Sequence, residues 1–149
     1  MQVKFYYATQ TGNAETLCDD LKHALPDGTS GEIIDLGDAD AANLEKDALH
    51  VFVSATTGAG EVPDHGVDFW EGLVDNKPDL SHVRFAVFGL GDTSFDDTYN
   101  GGSQKLMEAL LACKAKQVGE RGLHDASSGE MPEDVGTPWL EKILSQAAA

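Results

Sequence analysis

Three features of the sequence predict a doubly wound α/β fold on a five-stranded parallel sheet with helices on both faces. Apolar runs alternate with amphipathic stretches along the chain. The runs at 49–55 (LHVFVSA) and 83–90 (VRFAVFGL) are short and nearly continuous. Each strong run ends in a loop rich in glycine, hydroxyl or acidic residues. A strand buried on both faces reads as a continuous apolar run, the mark of a parallel sheet covered by helices. The 149 residues suit a single domain, 1–149, with a full-sized core.

The elements follow in order. Residues 3–8 form strand 1. Helix 1 spans 14–25, where Leu17, Leu21, Ala24 and Leu25 fall near one face and Pro26-Asp27-Gly28 stops it. Residues 32–36 give a short strand 2, and 41–46 a short helix. Residues 49–55 form strand 3. The helix at 66–74 carries Val67, Trp70, Leu73 and Val74 on one apolar stripe. Strand 4 is 83–90. The next helix, 103–113, turns Leu106, Leu110 and Leu111 to the core, and 115–118 opens strand 5. Residues 139–144 belong to the terminal helix, and 147–149 fray. Trp70 and Trp139 fit the amphipathic pattern and read as core. Cys18 and Cys113 form no C-x-x-C and read as two buried thiols.

The chain has 26 acidic against 10 basic residues, a formal charge of −16. That balance argues against nucleic acid or an anionic membrane as partner. It suits docking on basic proteins and release at moderate salt. No stretch is long and apolar enough to span a membrane, and the N-terminus lacks a signal pattern, so a cytoplasmic protein is expected. His23, His50, His65, His82 and His124 show no zinc spacing, and no metal site is expected. His65 and His124, in loops, read as surface histidines. Ser, His and Asp meet in the last loop without the order of a catalytic triad.

In a parallel sheet the loops after strands 1, 3, 4 and 5 gather at one edge, where such folds bind ligands. The first is Thr9-Gln10-Thr11-Gly12-Asn13-Ala14-Glu15. It offers hydroxyls, an amide and backbone N–H groups at the positive end of a helix, which suits a phosphate. No lysine lies in it, so it is not the loop of triphosphatases. The bland alternative is a capped helix with Thr11 or Asn13 as N-cap. The loop after strand 3 carries Thr56, Thr57, Gly58, Ala59, Gly60, Glu61 and Asp64. The loop after strand 4 runs from Gly91 to Gly102 and holds Phe95 and Tyr99, rings suited to covering a flat heterocycle. The last loop is 122–129. Four such loops at one edge favour a bound cofactor over plain turns.

These loops resemble those of the flavodoxin family, and in particular the FMN domains of diflavin reductases. TQTGNAE (9–15) is similar to their phosphate loop, SATTGAGEVPDH (54–65) to their second flavin loop, and GLGDTSF (89–95) to the third loop of sulfite reductase flavoproteins. The similarity spans almost the whole chain, in order. It implies strand order 2-1-3-4-5 and FMN as cofactor. Thr9, Gln10, Thr11, Asn13 and Ala14 would hold the phosphate, with Gly12 making the turn. Thr56, Thr57, Gly58, Ala59 and Gly60 would line one side of the isoalloxazine, and Leu90, Gly91, Asp92 and Phe95 the other. Tyr99 and Asn100 would lie near the ribityl chain or ring edge, and Asp125 near the flavin in the last loop. Thr57 stands where many relatives stack an aromatic ring, and Phe95 replaces the more usual tyrosine.

The resemblance implies a monomeric carrier of single electrons, with no catalytic residues of its own. Its donor would be an NAD(P)H-dependent flavoprotein reductase. Its acceptor would be a cytochrome P-450 or a sulfite-reductase-like protein. A Gly58–Ala59 peptide that turns its carbonyl toward the ring would favour a neutral semiquinone. Glu61, Asp64, Asp92, Asp96, Asp97, Asp125, Glu130, Glu133 and Asp134 would ring the flavin edge for docking. Two rivals share the fold. A flavin-dependent quinone reductase needs a nicotinamide route, and Gly89-x-Gly91 fails the nucleotide pattern at Ser94. A phosphoacceptor binding module needs an acid at the end of strand 3, where this chain has Ser54.

Overall fold

A computed structural model describes residues 2–8, 12–55, 66–91, 101–125 and 128–148. Among these, β1 (Gln2–Ala8), β2 (Ser30–Asp35), β3 (Ala48–Ser54), β4 (Arg84–Gly91), β5 (Lys116–Gln117) and β6 (Gly122–Asp125) form one parallel sheet. The helices are α1 (Asn13–His23), α2 (Val67–Asn76), α3 (Gly101–Ala112) and α4 (Pro132–Ala148). The strand order is β2-β1-β3-β4-β5, as expected, with β6 also paired to β4.

The fifth strand position departs from the expectation. β5 pairs with β4 at Arg84 and Phe85, and β6 takes over from Phe88 to Gly91. Residues 122–125, expected in a loop, therefore belong to the sheet. The expected strand is broken into two short pieces with a kink between them.

Alternation along the central strands divides the core into two layers. Val3 and Phe5 of β1, Val51 and Val53 of β3, and Ala86 and Phe88 of β4 face α1 and α4, where Leu17, Leu21, Leu140 and Ile143 meet them. Tyr6, Phe52, Phe85 and Val87 face the other way, against Phe69 and Leu73 of α2 and Leu106 and Leu110 of α3. Cys18 and Cys113 are free buried thiols, and burial pushes the Cys18 pKa up.

Two predicted core positions lie on the surface. Val74 is 41% exposed and Leu111 43% exposed. Each lies five residues beyond a buried residue of its helix, Phe69 or Leu106, and five residues is well off one face at 3.6 per turn. The α2 stripe is instead Phe69 and Leu73, with Trp70 packed at its margin. The helix expected at 41–46 is one 3-10 turn, Ala41–Asn43. The Asp40 carboxylate accepts from Ala42 N, and Leu44 is already extended. α4 starts seven residues earlier than expected, with Pro132 at a position where its missing N–H costs nothing. Gly136 brings α4 close to α1: a Cβ there would stand 3.2 Å from Leu17 Cδ1.

One buried polar pair sits away from the loop edge. His50 is fully buried on β3 beside Tyr6 of β1. Its Nε2 donates to Glu45 O at 2.7 Å, since a carbonyl can only accept. In the neutral ring Nδ1 then accepts from the Tyr6 O–H, also at 2.7 Å. Burial pushes the His50 pKa below its ordinary value; Lys4 and His82 act in the same direction, and Glu45 against it.

Candidate functional site

The carboxyl ends of four strands meet at one edge, β1 and β3 ending together and β4 and β6 running two residues further. Ala8 of β1 pairs with Ser54 of β3, Ser54 with Gly89 of β4, and Gly91 with Asp125 of β6. The pairing of β1 and β3 continues one step further, as Ala55 N donates to Ala8 O at 2.8 Å. The chain segments 9–11, 56–65, 92–100 and 126–127 connect at this edge. Their residues Thr9, Gln10, Thr11, Thr56, Thr57, Gly58, Ala59, Gly60, Asp92, Phe95, Tyr99 and Asn100 lie outside the described residues, as does His65.

The remaining predicted site residues are placed. α1 starts on Gly12, at φ 90°, with no side-chain cap among the described residues. Gly12, not Asn13, therefore holds the N-cap position of the alternative capped-helix reading, and Thr11 lies outside the described residues. A left-handed turn is cheap only for glycine and leaves no side chain over the helix end. Thr16 Oγ1 donates back to Gly12 O at 3.1 Å. Asn13 is exposed on the first turn, while Ala14 is buried against the core. Leu90 packs its side chain into the α1/α4 layer, so the edge receives its backbone. Gly91 ends β4 without a side chain, and Asp125 ends β6 half-buried.

Two neighbours of the site escaped the sequence reading. Tyr7, inside an apolar run, feels the charge of Glu15 on the first turn of α1. Burial, then the Asp35 and Glu15 carboxylates, push the Tyr7 pKa up to about 12. Arg121 reaches the first turn of α3, where its Nη1 donates to Ser103 Oγ at 3.1 Å. The only signal for it was the close pair Gly119 and Gly122, a pattern that marks a break in a strand.

The last loop folds back on the sheet. His124 is 6% exposed, and its Nε2 donates to Glu130 O at 2.7 Å. It is a buried structural residue, which corrects its reading as a surface histidine. Ser128 Oγ donates to Asp125 O at 2.7 Å. Glu133 and Asp134 occupy the first turn of α4, where the helix dipole favours acids. Their charge thus has a local structural reason besides any docking role.

The end of β3 also bears on the rival binding module. Ser54 is fully buried and donates its hydroxyl to Ala55 O at 2.8 Å. A separate groove of about 280 Å³ runs along α2, lined by Asp40, Asp68, Phe69 and Gly72 among others. Among the described residues no group of His, Cys, Asp and Glu is placed to hold a metal, and no helix is long and apolar enough to cross a membrane.

Comparison with known proteins agrees with this arrangement. The family profile described as Flavodoxin matches residues 6–139. Protein MioC of Escherichia coli O157:H7 is 38% identical over 66% of this chain and 66% of its own length. The NADPH-dependent diflavin oxidoreductase 1 of Yarrowia lipolytica is 34% identical over 95% of this chain, which spans only 21% of that protein. A flavodoxin structure from Streptococcus pneumonia TIGR4 superposes with a TM-score of 0.82 at 25% identity, covering 97% of this chain and 99% of that one.

Proposed function

The chain belongs to the flavodoxin family, and on that premise we propose that it carries single electrons between a flavoprotein reductase and a separate acceptor. Its cofactor is FMN. The observation that carries the reading is the stepped edge of four strand ends, with a left-handed glycine turn leading into α1 beside it.

The described residues fit this cofactor. α1 follows a glycine turn and carries the positive end of its dipole there, with no side-chain cap among the described residues. That is a cradle for a phosphate. Gly12, Asn13 and Ala14 would hold it together with Thr9, Gln10 and Thr11. Thr56 to Gly60 would flank one side of the ring. Leu90, Gly91, Asp92 and Phe95 would flank the other, with Tyr99, Asn100 and Asp125 at its margin.

FMN when bound supplies reversible one-electron chemistry; the protein binds and orients it and sets its surroundings. The acidic loops would disfavour added negative charge at the ring. They would also steer basic partner faces to the edge, an attraction that salt screens. The donor proposed is an NAD(P)H-dependent flavoprotein reductase. The acceptor proposed is a cytochrome P-450 or a sulfite-reductase-like protein. The carrier acts as a monomeric single domain in the cytoplasm and is no stand-alone catalyst.

A titration against FMN and riboflavin, read by flavin fluorescence, tests the site. FMN is expected to be quenched at concentrations at least about tenfold lower than riboflavin, the mark of phosphate recognition. Equal affinity for both would refute the phosphate cradle, and no binding of either would refute the reading.

A further inference from the structure

We propose that Arg121 is a positioning residue for the FMN site, held in place by the kink that breaks the fifth strand. The proposal rests on the FMN reading above. The kink is built rather than slack. Val118 N still donates to Phe85 O at 2.8 Å, and pairing resumes at Gly122 opposite Phe88. Between them the chain turns away at Gly119, with φ 67°. A Cβ on Gly119 would stand 2.5 Å from Ile143 Cδ1 and 2.7 Å from Gln146 Oε1, so α4 packs flush on the turn. Trp139 of α4 donates its indole N–H to Glu120 O at 2.9 Å. Gly122 lies flush against Phe88 and the same Trp139. Backbone, indole and two tight contacts thus define the kink on both sides of Arg121.

From this bracket Arg121 spans to α3 and donates to Ser103 Oγ at 3.1 Å. Ser103 is fully buried in the first turn of the helix. A cation at a helix N-terminus is opposed by the dipole, so helix stabilisation does not account for the contact. What it does is tie the first turn of α3 to the amino end of β6. α3 begins where segment 92–100 ends, and that segment carries Asp92, Phe95, Tyr99 and Asn100 of the proposed site. The described flanks of that segment are Gly91 of β4 and Gly101 of α3, and Arg121 bonds Ser103 two residues past the second. Arg121 also brings a permanent positive charge toward this side of an otherwise acidic chain. The other arginine, Arg84, lies at the opposite end of β4 and donates to Ala147 O at 3.0 Å.

The test measures FMN dissociation constant, midpoint potential and thermal midpoint for wild type, Arg121→Ala, Arg121→Lys, Ser103→Ala and the Arg121→Ala/Ser103→Ala double variant. A lost charge-assisted hydrogen bond is expected to raise the Arg121→Ala dissociation constant about tenfold. Ser103→Ala is expected to weaken FMN binding in the same direction, and the double variant to be no weaker than Arg121→Ala alone. Removal of the charge is expected to lower the midpoint potential in Arg121→Ala, and Arg121→Lys to restore it. Folded variants that bind FMN as wild type does, with only the thermal midpoint lowered, would overturn the proposal. If Arg121→Ala fails to fold, Arg121→Lys and Ser103→Ala decide: unchanged affinity in both overturns it. A wild type that fails to bind FMN removes the underlying reading, and this proposal with it.

Discussion

All seven residues of β3 are buried, whereas on the far side of β4 the fifth strand position is shared by two short pieces and a kink. β3 is held by repetition: each apolar residue packs on a helix layer, and one resembles the next in what it does. The kink is held by singular contacts, Gly119 on Ile143, Trp139 on Glu120 and Arg121 on Ser103. The first kind of region gives the sheet its stiffness. The second fixes single contacts among β6, α3 and α4. Substitution in β3 should therefore cost global stability, and substitution in the kink should cost site geometry in addition.

The largest effect is expected at the centre. Phe52→Ala removes a fully buried ring stacked on Tyr6 and is expected to cost about 3–5 kcal/mol in denaturant unfolding. A cost below about 1 kcal/mol would show that the centre is not the stable part. Next, Gly122→Val drives a side chain into Phe88 and Trp139. It is expected to cost about 1–3 kcal/mol and to weaken FMN binding, which Phe52→Ala should do far less. Equal loss of FMN affinity in the two variants would erase the distinction between the regions.

A smaller effect concerns pH. His50 is neutral and buried, with its folded pKa below its unfolded value. Its contribution is present above an unfolded pKa of about 6.5 and is lost as pH falls toward the lowered folded value. Unfolding free energy should drop by up to about 1.4 kcal/mol per pH unit within that window. His50→Gln should show a shallower drop between pH 7.5 and 5.5; identical slopes would remove His50 as the source. The smallest effect is at the exposed end of the Lys4–Glu45 ion pair, 2.8 Å long. Glu45→Gln should leave the unfolding midpoint unchanged within error, as exposed pairs contribute little.

The same contrast governs what was legible beforehand. β3 and β4 announced themselves because burial on both faces favours apolar residues, His50 and Ser54 being the buried exceptions on β3, and the strand order followed from the loop motifs. The carboxyl edge was legible for the same reason: strands 1, 3 and 4 end where the apolar runs end. The kink was not, since Gly119 and Gly122 read alike as loop residues until Trp139 and Ile143 are brought against them. His124 looked like a loop histidine because its partner, the Glu130 carbonyl, is a backbone group without a sequence signal. Leu111 was misplaced because it stands five residues beyond Leu106, and Val74 because its stripe was drawn through Val67 and Trp70 rather than through the buried Phe69. α4 began early because Pro132 opens a helix as readily as it ends one.

The most direct test of the account is a stepwise anaerobic reduction of the FMN-loaded protein, followed by visible absorption and potential. The account predicts two separated one-electron steps, with the second at the more negative potential. A single two-electron step at one potential, or a preparation that takes up no FMN, would contradict a carrier of single electrons.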